Sequence, residues 1–273
     1  MKFDVVTFGS AMMDAFVETN TKEANGYLQI PYGCKQLMKS LFFEIGGGGT
    51  NTAVAFSRLG LKTGYIGKVG KDKNGEGVLD MLRREKIEFL GKITKGDTSG
   101  FSVVLISKAR YRSILAHKGI NDTISEEDIK PFSTKWLYFS SMMKISFQTQ
   151  LKLAKRLKKK GVKIAFNPSE YLIGREDLKP LLRITDVLIV NKEEANLLTK
   201  DKDKLKGIAK LGPRIVVITN ERRAVYCYDR NRVYSVKPPK VKIADKTGAG
   251  DAFSAAFVAG LVKVKPIEYC LKL

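Results

Sequence analysis

Short β-branched or apolar runs alternate with helix-patterned segments along most of the chain, and this alternation restricts the possible folds more than any other feature. Residues 3–8, 63–66, 136–139, 163–166, 187–190 and 214–219 predict strands, and 52–59, 77–85, 193–199 and 205–211 predict helices. Between the strands at 136–139 and 163–166, Phe147, Leu151, Ala154 and Leu157 fall at helical spacing. Gly60 and Gly161 stand where two of the helices stop. Repetition of this kind predicts an α/β protein, a mainly parallel sheet with helices on both faces. With 273 residues, 44% of them apolar, the chain can bury such a core as a single domain over 1–273.

Two stretches depart from the rhythm. Residues 16–17, 28–30 and 41–45 read as strands with no helix between them, and 102–107 with 112–116 read as a hairpin around 108–111. Discontinuous segments of about 15–45 and 100–117 are therefore expected to pair into a small accessory sheet over one edge of the main domain. A further hairpin is predicted from 224–228 and 232–236, turning at 229–231.

Charge and composition narrow the function classes. The formal net charge is +21. The densest basic cluster, Lys152, Lys155, Arg156, Lys158, Lys159 and Lys160, lies on the polar face of the Phe147–Leu157 helical pattern, so it reads as a solvated face. No zinc-finger or RNA-binding aromatic pattern accompanies it, and nucleic acid ranks last among the expected partners. A positive field suits an anionic small molecule equally well. The longest nearly apolar stretch, 252–262, is too short to cross a membrane, and no signal peptide is read at the start, so a cytoplasmic protein is expected. Cys34, Cys227 and Cys270 form no zinc or disulfide pattern. A single histidine, His117, leaves no room for a multi-histidine metal site.

Three segments could carry chemistry. Asp245-Lys246-Thr247-Gly248-Ala249-Gly250-Asp251 opens an apolar helix pattern, and residues with so little side chain leave backbone N–H groups free to face an anion. A carboxylate beside such a cradle suits a base that removes a proton from a hydroxyl better than a phosphate ligand, because like charges repel. An ordinary Gly-rich turn with an N-terminal aspartate reads equally well. Gly46-Gly47-Gly48-Gly49-Thr50-Asn51 precedes another helix; its glycines allow close backbone approach, and Asn51 can bond hydroxyls, although a plain flexible loop has the same composition. Asp14 follows the first strand, near where open α/β sheets bind ligands, and either grips two hydroxyls or is a loop aspartate. Neither a GxxxxGK[ST] loop nor a GxGxxG after a strand is present.

The 245–253 segment closely resembles the C-terminal signature of the PfkB (ribokinase-like) carbohydrate kinases. Gly46–Asn51 with Thr52-Ala53-Val54-Ala55, continued by Leu59-Gly60 and 67–72, is similar to their N-terminal signature. The resemblance implies a ribokinase-like three-layer αβα sandwich with a β-sheet lid, and transfer of the ATP γ-phosphate to a hydroxyl. It implies Asp251 as general base, Gly248, Ala249 and Gly250 as anion hole, and Asp14, Gly47, Gly48 and Asn51 as substrate contacts. It further implies Asn191 and Glu194, within Asn-Lys-Glu-Glu, as organisers of Mg²⁺ through water, and Thr219, Asn220 and Lys246 near the nucleotide.

The chain departs from that pattern at 219–224, where Thr-Asn-Glu-Arg-Arg-Ala replaces a glycine-bearing loop, and at Ser140-Ser141, where ribose-specific members carry a glutamate. The acceptor expected is a sugar, with a nucleoside as the alternative. Phe16, Phe42, Phe43 and Phe101 could stack on a base, though core packing explains their spacing as well. A ligand-binding or regulatory protein on the same fold is the reading from another class. Lid edges could also pair two copies into a homodimer.

Overall fold

The computed structural model describes residues 2–33, 35–220, 223–239, 241 and 247–273. Nine strands form the main sheet, in the spatial order Val233–Val236, Val225–Tyr228, Ile215–Thr219, Val187–Asn191, Lys163–Asn167, Ser133–Ser140, Lys2–Phe8, Thr63–Ile66 and Glu88–Phe89. The seven from Ile215–Thr219 onward are parallel, and the first two add an antiparallel hairpin at the other edge. Parallel strands are covered on both sides, which is why runs such as Val187-Leu-Ile-Val190 are apolar throughout and buried.

Alternate residues feed two cores. On one face Phe8, Phe139, Ile164, Phe166, Leu188 and Val190 pack with Phe147, Leu153 and Leu157 of the helix Lys144–Lys158. On the other, Val5, Tyr138, Ala165, Val187, Ile189 and Val217 pack with Phe56 of Gly48–Arg58 and with Ala255, Phe257 and Val258 of Ala249–Val262. The result is three layers, with the helices Gly48–Arg58 and Ala249–Val262 side by side on the second face.

From Lys2–Phe8 the chain moves outward to Thr63–Ile66 on one side, and later returns to Ser133–Ser140 on the other. Connections leaving two adjacent parallel strands in opposite directions open a crevice at their carboxyl ends.

A second sheet has the order Arg112–His117, Gly100–Ile106, Met12–Glu18, Ser40–Gly46. Its middle strands are parallel and both outer pairs antiparallel. Residues 28–30 do not join it. They fall in a separate ribbon of Lys22–Ala24 with Tyr27–Gln29, turned by Asn25 and Gly26, both at positive φ. The tetraglycine is also not a loop: Gly48 and Gly49 are the first residues of their helix. The helix expected at 77–85 begins earlier, at Lys73, because the Asp72 carboxylate caps the Gly75 N–H. Among the described residues no helix is long and apolar enough to cross a membrane.

Candidate active site

The crevice walls are backbone held at close range. A β-carbon on Gly49 would lie 2.5–2.7 Å from Gly9 backbone atoms, so the helix start and the end of the first strand touch without side chains between them. Ser10 O accepts the N–H groups of Gly49 (3.1 Å) and Thr50 (3.4 Å), which anchors that helix start. Gly47 turns into it at φ +103°, where a β-carbon would strike Ser10 O.

Asn51, on the first turns of this helix, donates from Nδ2 to Asp251 Oδ2 at 2.8 Å across 200 residues of sequence. The contact exists because both helices lie on one face of the sheet. Gly248 precedes the second helix in a left-handed conformation and offers no side-chain cap. Ala249 and Gly250 are exposed, so the first N–H groups of that helix open outward. Burial pushes the Asp251 carboxyl above its ordinary value, and the Asn51 bond offsets part of this. Such a carboxylate is a stronger base than an exposed one.

A β-carbon on Gly48 would lie 2.9 Å from Ser140 Cβ and 3.7 Å from Asp251 Oδ1, which brings Gly48, Ser140 and Asp251 to one spot. Ser140 Oγ is buried and has no hydrogen-bond partner among the described residues. Asp14 lies on the second sheet, where Oδ1 accepts the Ser102 hydroxyl at 2.5 Å. Burial raises its carboxyl too, against the Ser102 bond and the Lys118 charge.

Further along the same edge of the main sheet, Asn191 and Thr219 end neighbouring strands in register. Asn191 and Glu194 form a reciprocal cap: Glu194 N–H donates to Asn191 Oδ1 and Asn191 N–H to Glu194 Oε2, each at 2.8 Å. The pair therefore starts a helix, a role the spacing of the two residues already encodes. Burial raises the Glu194 carboxyl; backbone N–H groups of Asn191 and Glu170 oppose that, and the charges of Glu170 and Glu193 add to it. A carboxylate crowded by two others fits a nearby cation. Among the described residues no group of three or more His, Cys, Asp or Glu side chains is placed to hold a metal ion. The buried Tyr138 phenol, raised by burial and by the charges of Asp251 and Glu194, lies within the field of both carboxylates. Thr219 Oγ1 reaches Val190 O at 3.5 Å, and Asn220 O accepts the Arg223 N–H. Lys246 and residues 221–222 lie outside the described residues.

Three residues escaped the sequence reading. Ser102 orients Asp14. Arg112, on the same face of the second sheet, donates to Thr247 Oγ1 at the turn before Gly248. Gln150 donates to Phe8 O and Ser140 O, each at 3.0 Å. Alternation within residues 102–116 was the available signal for the first two, but cross-strand register decides their face. Register also divides the aromatic candidates. Phe16 and Phe42 share the face of Asp14, whereas Phe43, Phe101 and His117 lie on the other.

The model for the family described as pfkB family carbohydrate kinase matches residues 2–273. A protein of Archaeoglobus fulgidus described as an uncharacterized sugar kinase is 30% identical over 81% of this chain and 91% of its own. Among solved structures, adenosine kinase from Sinorhizobium meliloti superposes with a TM-score of 0.83 at 21% identity, covering 99% of this chain and 90% of that one. Ribokinase from Cryptococcus neoformans in complex with ADP gives 0.80 at 23%, covering 98% and 90%.

Proposed function

This chain belongs to the pfkB family of carbohydrate kinases and is a phosphotransferase with a hydroxyl acceptor; on that premise we propose that it transfers the γ-phosphate of ATP to a hydroxyl of a sugar moiety, free or within a nucleoside. The observation that carries this reading is the meeting of Asn51, Asp251 and the uncapped helix start after Gly248 in one crevice. Asp14, which lies against Gly46, holds the acceptor hydroxyls together with Gly47, Gly48 and Asn51. Asp251 takes the proton of the attacking hydroxyl. The N–H groups of Gly248, Ala249 and Gly250 receive the charge on the transferring group. The ADP bound to the similar ribokinase supports ATP as donor. Thr219, Asn220 and Lys246 are assigned to its binding.

Asn191 and Glu194 would hold Mg²⁺ through water, and the ion supplies positive charge against the donor phosphates. The second sheet acts as a lid that excludes water, with Arg112 linking it to the anion-binding turn. Its outer face exposes Leu41, Phe43 and Leu115, and a homodimer through the lid in the cytoplasm is the assembly assigned. Coupled detection of ADP release across sugars and nucleosides tests the activity. Ligand binding with no ADP release from any acceptor would favour a non-catalytic binding protein instead.

A further inference from the structure

The inner face of the lid is banded. One row across its four strands is Glu44, Asp14, Ser102 and Ala116, and the next is Phe42, Phe16, Val104 and Ile114. The first row grips hydroxyls through the Asp14–Ser102 pair. The second has no polar side chain. Phe16 and Phe42 stack in parallel, centroids 4.8 Å apart and planes 3° apart. Phe16 is buried, while Phe42 remains 44% exposed and Ile114 63% exposed. The rows are two residues apart along each strand, about 7 Å.

That banding selects among acceptors. A free sugar carries hydroxyls around its whole ring, and those lying over the second row would lose water without gaining partners, at a cost of order 1–3 kcal/mol each. An acceptor with hydroxyls at one end and a flat apolar face at the other matches both rows. Stacking of a base on an aromatic ring adds binding and tolerates any base, since every base has a π face.

Resting on the kinase reading above, we infer that the acceptor is a nucleoside, its ribose held at Asp14 and its base lying against the exposed Phe42 ring. The identity of the base is not set by these residues, because the row they form offers it no hydrogen bond.

The test measures ADP release with adenosine, cytidine, guanosine, ribose and fructose, and separately measures binding of the same compounds to Asp251→Asn by calorimetry. At least one nucleoside should exceed both free sugars about 100-fold in kcat/KM. Phe42→Ala should raise its KM about tenfold or more with kcat within about threefold, and Phe42→Tyr should restore it. A free sugar binding as tightly as every nucleoside overturns the inference and leaves the kinase intact. So does a Phe42→Ala protein of unchanged KM, or one altered only in oligomeric state. Nucleoside binding without ADP release from any acceptor supports the inference and overturns the kinase reading instead.

Discussion

Asp251→Asn separates proton removal from everything else in the crevice. The amide is nearly isosteric with the carboxylate, and its oxygen can take the place of Oδ2 to accept Asn51 Nδ2, now 2.8 Å away. The backbone cradle at 248–250 is not changed by the substitution, and neither are Asp14 and Ser102. What disappears is the acceptor proposed for the hydroxyl proton. General-base assistance accounts for about 10²–10⁴ in rate, or about 3–5 kcal/mol of barrier, and kcat should fall by that factor while acceptor KM stays within about threefold. Stability should move the other way. Burial raises the Asp251 carboxyl, so its ionised form is disfavoured in the folded protein, and the folded state loses stability as pH rises past the ordinary value of 3.8. Asparagine carries no such charge. Its Tm should therefore exceed wild type near pH 7, and the two should converge as the pH falls below that value. Single-turnover kinetics and thermal unfolding on the same preparations read both quantities. A kcat within tenfold of wild type would refute the assigned role, and a lower Tm at pH 7 would mean that the carboxylate is structural.

Asp128 should show the opposite pH dependence. Burial opposes its ionisation, but the Ser125 N–H and side-chain bonds from Lys92 and Lys68 hold the carboxyl at about 2. It contributes about 2 kcal/mol, present above 3.8 and lost as pH falls toward 2, so Asp128→Asn should weaken urea stability by that amount at pH 6 and by little near pH 2. Gly49→Ala should cost about 1–3 kcal/mol in the same assay and lower kcat, since the added carbon meets Gly9 backbone and pushes the helix carrying Asn51 away. Arg112→Ala should leave Tm nearly unchanged and reduce kcat/KM about tenfold, with Arg112→Lys recovering part of the loss in the ADP-release assay.

The α/β architecture was legible because buried parallel strands need apolar residues on both faces, and runs such as 163–166 and 187–190 have little other use. Two local features were not. The helix was expected only from 52, and glycine has low helix propensity, yet the close approach to Gly9 can be made only by residues without a β-carbon, and that tertiary demand overrides propensity at Gly48 and Gly49. In the lid, the 102–116 hairpin was legible, but alternation did not show how Met12–Glu18 and Ser40–Gly46 join it or in which register. A shift of one residue would exchange Phe42 for Phe43 on the inner face, so the distinction on which the acceptor argument rests lies in register alone.

The crevice itself depends on a residue outside every recognisable motif. Direct pairing between the first strand and Ser133–Ser140 runs to Phe8 and Phe139, where the chains begin to diverge. Beyond that point Phe8 and Ser140 are still buried, and an unpaired buried carbonyl favours closing the gap. Gln150, fully buried on the helix of the opposite layer, donates to both through one amide nitrogen and replaces the missing rung of the ladder. Its own Oε1 has no partner among the described residues, a cost accepted at one atom so that two strand ends can stay apart. The glycine-rich signatures identify the walls of the site, but their separation is set from behind, by a side chain that periodicity predicts only to lie in a helix.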